Sequence, residues 1–396
     1  MPLPMYALIF GVFSLGTAES VIAGLLPELS ADLGVSLSQA GLLVTVYAVT
    51  IVIGGPLVTL ATSRLPRKGL LLALMGLFTA GNVLAAVAPG YGVLMAARVV
   101  SALSHCTLFA LALVTASELA GPARSGAAVA RVIVGVNLAT IAGVPLGLAV
   151  AQVWDWRATF WGVAALSLLS VLFAARTLPA GMPGGEGAVA ELRVLKDRRV
   201  QTALLLTVLG TVGGYATFTF LTPLLREVSG FDPGDVTVLL FLFGLGSLAG
   251  GLLGGRLADR ALMASLTALM AGLVAVLPLF AAVASAAVPS AVLMIVFSVL
   301  FFALNPGLGA RILGSVPVRA PTVAVSLSVA AVQTAIALGA WSGGRVLDAG
   351  LGLRAIPLVG GGMTLLGVVV SWAELRRERR AATESPADPL TAGRAA

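Results

Sequence analysis

LPMYALIFGVFSLGTAESVIAGLL, residues 3 to 26, is a run of twenty-four residues with a single charge, Glu19. A stretch of about 20 apolar residues is the length a helix needs to cross a bilayer. Lipid offers no water to the backbone, so such a stretch must satisfy its own N–H and C=O groups, and a helix does so. The run lacks a basic leading region and an A-x-A-like cleavage site. It is therefore expected to be a first span and not a cleaved signal.

The same pattern recurs along the chain. Twelve spans are predicted, at about 3–26, 40–62, 69–89, 92–115, 126–150, 157–178, 200–224, 236–257, 262–284, 289–310, 322–345 and 352–373. Of the 396 residues 59% are hydrophobic and 10% charged, against about 25% charged in soluble domains. A soluble core cannot hide that much apolar surface. Alternating strand segments of about ten residues, the signature of a membrane barrel, are absent from the sequence. The fold class predicted is an all-α polytopic membrane protein with the lipid bilayer as its main surroundings.

The net charge of +7 is explained by position and not by nucleic acid. Basic residues gather in the loops after even-numbered spans: Arg64, Arg67 and Lys68; Arg124; Arg193, Lys196, Arg198 and Arg199; Arg256 and Arg260; Arg311 and Arg319. The tail adds Arg376, Arg377, Arg379 and Arg380. By the positive-inside rule both termini are expected in the cytoplasm. Cys106, the single cysteine, lies inside a predicted span and allows no disulfide framework. With one histidine, no metal site is expected.

Residues 179–201, PAGMPGGEGAVAELRVLKDRRVQ, are the longest polar interruption. They divide the chain into a six-helix bundle at 1–178, a linker at 179–199, a second bundle at 200–373 and a basic tail, expected to be disordered, at 374–396. A shift of 196 residues superposes the halves without gaps. Pro27 falls on Pro223, Gly34 on Gly230, Gly54 and Gly55 on Gly250 and Gly251, Arg64 on Arg260, and Gly143 and Gly147 on Gly339 and Gly343. Parallel six-span repeats imply two bundles that rock about a site between them.

The chain resembles the major facilitator superfamily, and within it the twelve-span drug:proton antiporters. The family's loop G-x-x-x-D-R-x-G-R-K is matched in the second half by Gly255, Asp259 and Arg260, and in the first by Arg64, Arg67 and Lys68, with Thr59, Ser63 and Pro66 replacing its Gly, Asp and Gly. Arg98 in AARVVSAL stands where the family keeps a buried arginine. GVPLG, with Gly143, Pro145 and Gly147, is similar to the antiporters' Gly-Pro motif. GTAES-x3-GLLPELSADLG and WRATFW look like the subgroup of chloramphenicol-resistance pumps and sugar, purine and arabinose-type exporters, whose span-1 acid matches Glu19.

Glu19 lies eight residues before Pro27, and Arg98 six residues past Gly92. At 1.5 Å per residue both fall roughly 9–12 Å below the outer boundary. A carboxylate at that depth can shed its charge by protonating, whereas an arginine cannot and needs a partner or a wet cavity. Glu19 is expected to carry a proton inward while cargo moves outward; the alternative is a plain hydrogen bond to a neighbouring helix. Arg98 is its expected companion, or else a structural arginine. His105, seven residues on and on the same face, is expected either to tune the proton step or to bond a carbonyl. Asn137 and Gln333 are candidate substrate ligands or interhelical glue. Asn305 is expected to serve the break at Pro306. Tyr47, Phe109, Tyr215, Phe218 and Phe220 offer aromatic surface that could line an apolar cavity, or else pack or face lipid as aromatics at helical spacing more often do, and Tyr215 occupies the repeat-related place of Glu19. Trp154, Trp156 and Trp161 read as an interfacial belt.

No phosphate-binding loop and no G-x-S-x-G occurs in the sequence, so enzyme chemistry is not expected. The sequence predicts a proton-driven exporter of small apolar or amphipathic molecules such as drugs, without a cofactor, monomeric, in a bacterial inner membrane. The alternative is a narrow-specificity exporter or facilitator of a metabolite such as a sugar, purine or nucleoside, or amino acid.

Overall fold

A computed structural model describes residues 3–62, 64–121, 124–179, 196–316 and 321–384. The first bundle holds α1 (Leu3–Leu33), α2 (Leu37–Thr62), α3 (Arg67–Ala86), α4 (Tyr91–Ala120), α5 (Ser125–Val153) and α6 (Trp156–Thr177). The second opens with α7 (Arg198–Thr219), prolonged by Leu221–Pro223 and a π-helical turn at Leu224–Val228. Next comes Pro233–Val283, one helical run of 51 residues. At 1.5 Å per residue it would be roughly 77 Å long, more than twice a bilayer core. It breaks at Ala261, whose φ of −160° and ψ of 80° leave the helical region. The run is thus two spans, α8 (233–260) and α9 (262–283), followed by α10 (Ala287–Ser315), α11 (Pro321–Asp348) and α12 (Ala355–Glu384). Among the described residues twelve spans stand where twelve are predicted.

Local chemistry sets the ends and the breaks. Ser36 and Gln39 form a reciprocal capping box at the start of α2, with bonds of 3.0 and 3.1 Å. Asp155 caps α6 through Ala158 N–H at 2.9 Å. Gly34 and Gly230, related by the repeat, both end their helices at positive φ, 62° and 74°, a conformation that costs a glycine little. In α5 the missing N–H of Pro145 frees a carbonyl one turn back, and the helix widens to a π-turn over Ala139–Gly143. Pro223 acts alike in α7, where the helix breaks at Phe220. Its counterpart Pro27 sits inside a helix that continues to Leu33, so α1 runs past the residue expected to end it.

The two bundles repeat each other's packing: α1 against α5 as α7 against α11, and α3 against α6 as α9 against α12. Between the bundles, α2 packs on α11 and α5 on α8, again a repeat-related pair of seams. Outward-facing leucines such as Leu169, Leu252, Leu358 and Leu366 are half or more exposed, a surface suited to lipid.

Two expectations need correcting. Residues 374–384, expected to be a disordered tail, continue α12. Arg311 of α10 reaches Glu378 at 2.5 Å and Glu374 at 3.5 Å, and Arg376 lies over the Trp372 ring, so the basic stretch has partners that favour a helix. Trp156 is not a belt residue. It is 2% exposed, donates its indole N–H to Asp32 at 2.9 Å, and has Arg157 stacked on its ring; Trp154 and Trp161 do face outward. Phe220 takes the packing alternative, buried where Gly41 and Gly343 leave room for its ring. Most of the expected linker (180–195), Ser63, Arg319 and residues 385–396 lie outside the described residues.

Candidate transport site

A cavity of about 280 Å³ lies between the bundles, near the lower end of the roughly 300–1,000 Å³ of small-molecule sites. Its walls differ in character. The polar side carries Glu19 of α1, Tyr47 of α2, Arg98 and His105 of α4, Asn137 of α5 and Gln333 of α11. The other side carries Tyr215 and Phe218 of α7, Phe302 of α10 and Ile336 of α11, with Phe109 of α4 nearby. Asn305, expected only to serve the break at Pro306, also lines the cavity.

Five of these residues, Glu19, Tyr47, Arg98, His105 and Gln333, form a linked cluster. Gln333 Nε2 donates to Glu19 Oε1 at 2.5 Å, a bond that crosses from the second bundle to the first. His105 Nε2 stands 3.8 Å from Glu19 Oε2, and its Nδ1 is 2.8 Å from the Tyr47 hydroxyl. A carboxylate on the Nε2 side favours the proton there, which leaves Nδ1 to accept from Tyr47. Arg98, 1% exposed, has its guanidinium carbon over the Tyr47 ring, 3.8 Å from the centroid, and donates from Nη1 to the carbonyl of Ala18 at 2.7 Å. Its Nε and Nη2, and Oε1 of Gln333, are buried and have no hydrogen-bond partner.

Depth matching thus brought Arg98 beside the backbone next to Glu19, but the two do not form an ion pair: Arg98 is held by a carbonyl and an aromatic face. His105, weighed as a carbonyl-bonding residue, instead bridges Tyr47 toward Glu19. Gln333, considered for substrate, is the direct partner of Glu19. The sequence did not show that contact, although the repeat marks related positions: Asn137 and Gln333 are separated by the same 196 residues as Glu19 and Tyr215. Two amide positions and the acid with its aromatic counterpart therefore fall on equivalent places in the repeat.

The remaining candidates lie outside the cavity. Gly143 and Gly147 let α5 close on α1: a Cβ at Gly143 would meet Thr17 Oγ1 at 2.1 Å, and one at Gly147 would meet Val21 at 2.5 Å. Pro145 adjoins the π-turn. Arg67 bonds Glu118 at the end of α4, and Lys68 donates to the carbonyl of Leu178 at 2.6 Å, tying the ends of α3, α4 and α6. Arg64, Asp259 and Arg260 are exposed and Gly255 half-buried, the last three just before the Ala261 break.

The seal lies on one side of the cavity. Arg226, beyond Pro223, pairs with Glu28 of α1 at 2.5 Å, and Gln152 of α5 donates to Pro233 O at 2.7 Å. Ser38 of α2 lies under Gly344 of α11. All are at the end away from Leu3 and Glu384. Toward the other end the lining continues through Leu15 and Val12 of α1 and Ser328 of α11.

Known proteins agree with this architecture. The sequence model of the Major Facilitator Superfamily matches residues 8–320. The chain is 36% identical over 372 residues to the inner membrane transport protein YdhP of Escherichia coli (strain K12), covering 93% of this chain and 95% of that one. It is 38% identical over 255 residues to the chloramphenicol resistance protein of Streptomyces lividans, 63% of this chain and 65% of the relative. Among solved structures, a D-xylose-proton symporter superposes with a TM-score of 0.75 at 18% identity, over 93% of this chain and 96% of that one.

Proposed function

Because this chain belongs to the Major Facilitator Superfamily and is a multi-pass membrane transporter, not an enzyme, we propose that it is a proton-coupled exporter of small apolar or amphipathic molecules. Glu19 carries the reading, as the one carboxylate among the described residues lining the cavity. Proton and cargo compete for it. A protonated Glu19 is neutral and tolerates a low-dielectric setting; an ionised one needs hydrogen-bond donors, which Gln333 or a bound cargo supplies, with His105 Nε2 3.8 Å away. The aromatic wall suits the apolar part of such a cargo, and likeness to a chloramphenicol resistance protein supports drug-like substrates. The proton gradient is the proposed energy source, with no cofactor, in a monomer whose termini face the cytoplasm of a bacterial inner membrane. The sealed side would then be the outer one.

A second reading, export of one polar metabolite, draws on the small volume and on the amides of Asn137, Asn305 and Gln333 in the wall. Growth of an efflux-deficient bacterium on a panel of antibiotics, lipophilic cations and toxic metabolite analogues separates the two. Protection against unrelated compounds supports the first, and protection against one analogue the second. In proteoliposomes Glu19→Gln should abolish uphill export, a fall of 100-fold or more being expected on the order of a lost general acid–base group, while downhill exchange persists. Undiminished uphill export by that variant would end the proposal.

A further inference from the structure

The bond between Gln333 and Glu19 differs from every other named contact across the bundles. The contacts of Glu28, Gln152 and Ser38 sit at the sealed end, whereas Gln333 reaches the coupling acid itself inside the cavity. Gln333 is 4% exposed, and only half of its amide is used: Nε2 donates to Glu19, while Oε1 is buried without a partner. A buried acceptor left unpaired is costly, so its neighbourhood normally supplies a donor.

Protonated Glu19 is such a donor. A carboxylic acid and a primary amide can pair twice, N–H to C=O and O–H to C=O, where a carboxylate and the same amide pair once. We propose that Gln333 is the positioning residue that converts the protonation of Glu19 into contact between the bundles: the proton adds a second bond across the seam, and its loss removes it. A companion observation gives the ionised form another seat. Arg98 has two buried, unpaired donors, Nε and Nη2, beside the backbone of Ala18. A carboxylate turning from Gln333 toward that guanidinium leaves the second bundle for the first.

The groups facing Glu19 agree with this division. Arg98 and His105 from α4 and Tyr47 from α2 belong to the first bundle; Gln333 from α11 and Tyr215 from α7 belong to the second. Among the described residues lining the cavity, the side chains able to carry a positive charge, Arg98 and His105, are thus on Glu19's own side, and every group across the seam is neutral. Protonation therefore holds the arrangement seen here, closed at the Glu28–Arg226 end, and deprotonation frees it for cargo. For an exporter that is the order required, since the proton returns the empty carrier to the side where cargo is loaded.

The inference rests on the coupling role of Glu19, and the test separates the two. Full-length protein in lipid nanodiscs, with Cys106→Ser and spin labels at Ala31→Cys and Gly234→Cys, both exposed positions, reports the distance between bundles at the sealed end. Titration toward acid should shift the native distribution to the short distance. Glu19→Gln, which offers an amide in place of the acid, should stay short at every pH. Gln333→Met keeps the length without either polar atom and should lose the pH response, with uphill export lowered by roughly tenfold or more. Gln333→Glu, which again shares a proton with Glu19, should restore a response and shows that the site folds. A native-like titration of Gln333→Met would overturn the tether while leaving Glu19 as the coupling acid. A flat native titration, with uphill export intact in Glu19→Gln, would overturn both.

Discussion

Arg98 shows how a charge can be kept in an apolar bundle without an opposite charge in contact. Its guanidinium is planar and weakly hydrated, so it can lie on the Tyr47 ring at 3.8 Å while one N–H reaches the Ala18 carbonyl. A lysine retains the charge but cannot stack in that way. Arg98→Lys should therefore weaken cargo handling by about 1–2 kcal/mol, roughly five- to thirtyfold, with the fold retained. Export rates and thermal unfolding of the same preparation check this. Equal loss in both would mean that Arg98 is merely structural. At this scale the sequence marked Glu19 and Arg98 because a charge in an apolar run is costly wherever it falls. It could not mark their partners. Gln333 is 314 residues from Glu19, and an amide in a span has several equally satisfactory uses.

The two glycine-bearing helices α5 and α11 are equivalent in the repeat but face different obstacles. At Gly143 the obstacle to a Cβ is a side chain, Thr17 Oγ1 at 2.1 Å. At Gly339 it is backbone, Ala216 N and Val212 O at 2.7 Å. Overpacking typically costs about 1–3 kcal/mol, and backbone yields less than a side chain. Gly143→Ala should lower the unfolding temperature, and Thr17→Ala in the same chain should recover part of the loss. Gly339→Ala should destabilise at least as much, with no single side-chain change able to relieve it. Equal tolerance of both alanines would contradict this packing. The positions of these glycines were readable from the offset of 196. Which neighbour each one admits was not, because that depends on how closely two distant helices approach.

Across the whole molecule the sealed end is held by few polar contacts, among them the pair Glu28–Arg226, with side chains 18% and 26% exposed. A pair at that depth falls between the near-zero worth of surface pairs and the several kcal/mol lost on breaking a buried one. Glu28→Gln should cost the closed form about 1–2 kcal/mol and broaden the distance distribution at the sealed end. Exchanging the two, Glu28→Arg with Arg226→Glu, should restore it. An unchanged distribution in the single variant would assign the seal to the apolar contacts alone, such as Phe220 against Gly41 and Gly343.

Hydrophobic run length, the offset between halves and the sidedness of Lys and Arg follow from local composition, and lipid enforces them: a span must be apolar and helical whatever it touches. The sequence by itself therefore determined twelve helices, two repeats and the cost of placing Glu19 among them. Tertiary structure alone decided that Trp156 is buried against Asp32, that α12 continues through its basic stretch, and that Gln333 meets Glu19 across the seam. Each of these depends on residues far apart in the chain being held within bonding distance, and only the packed bundle brings them together.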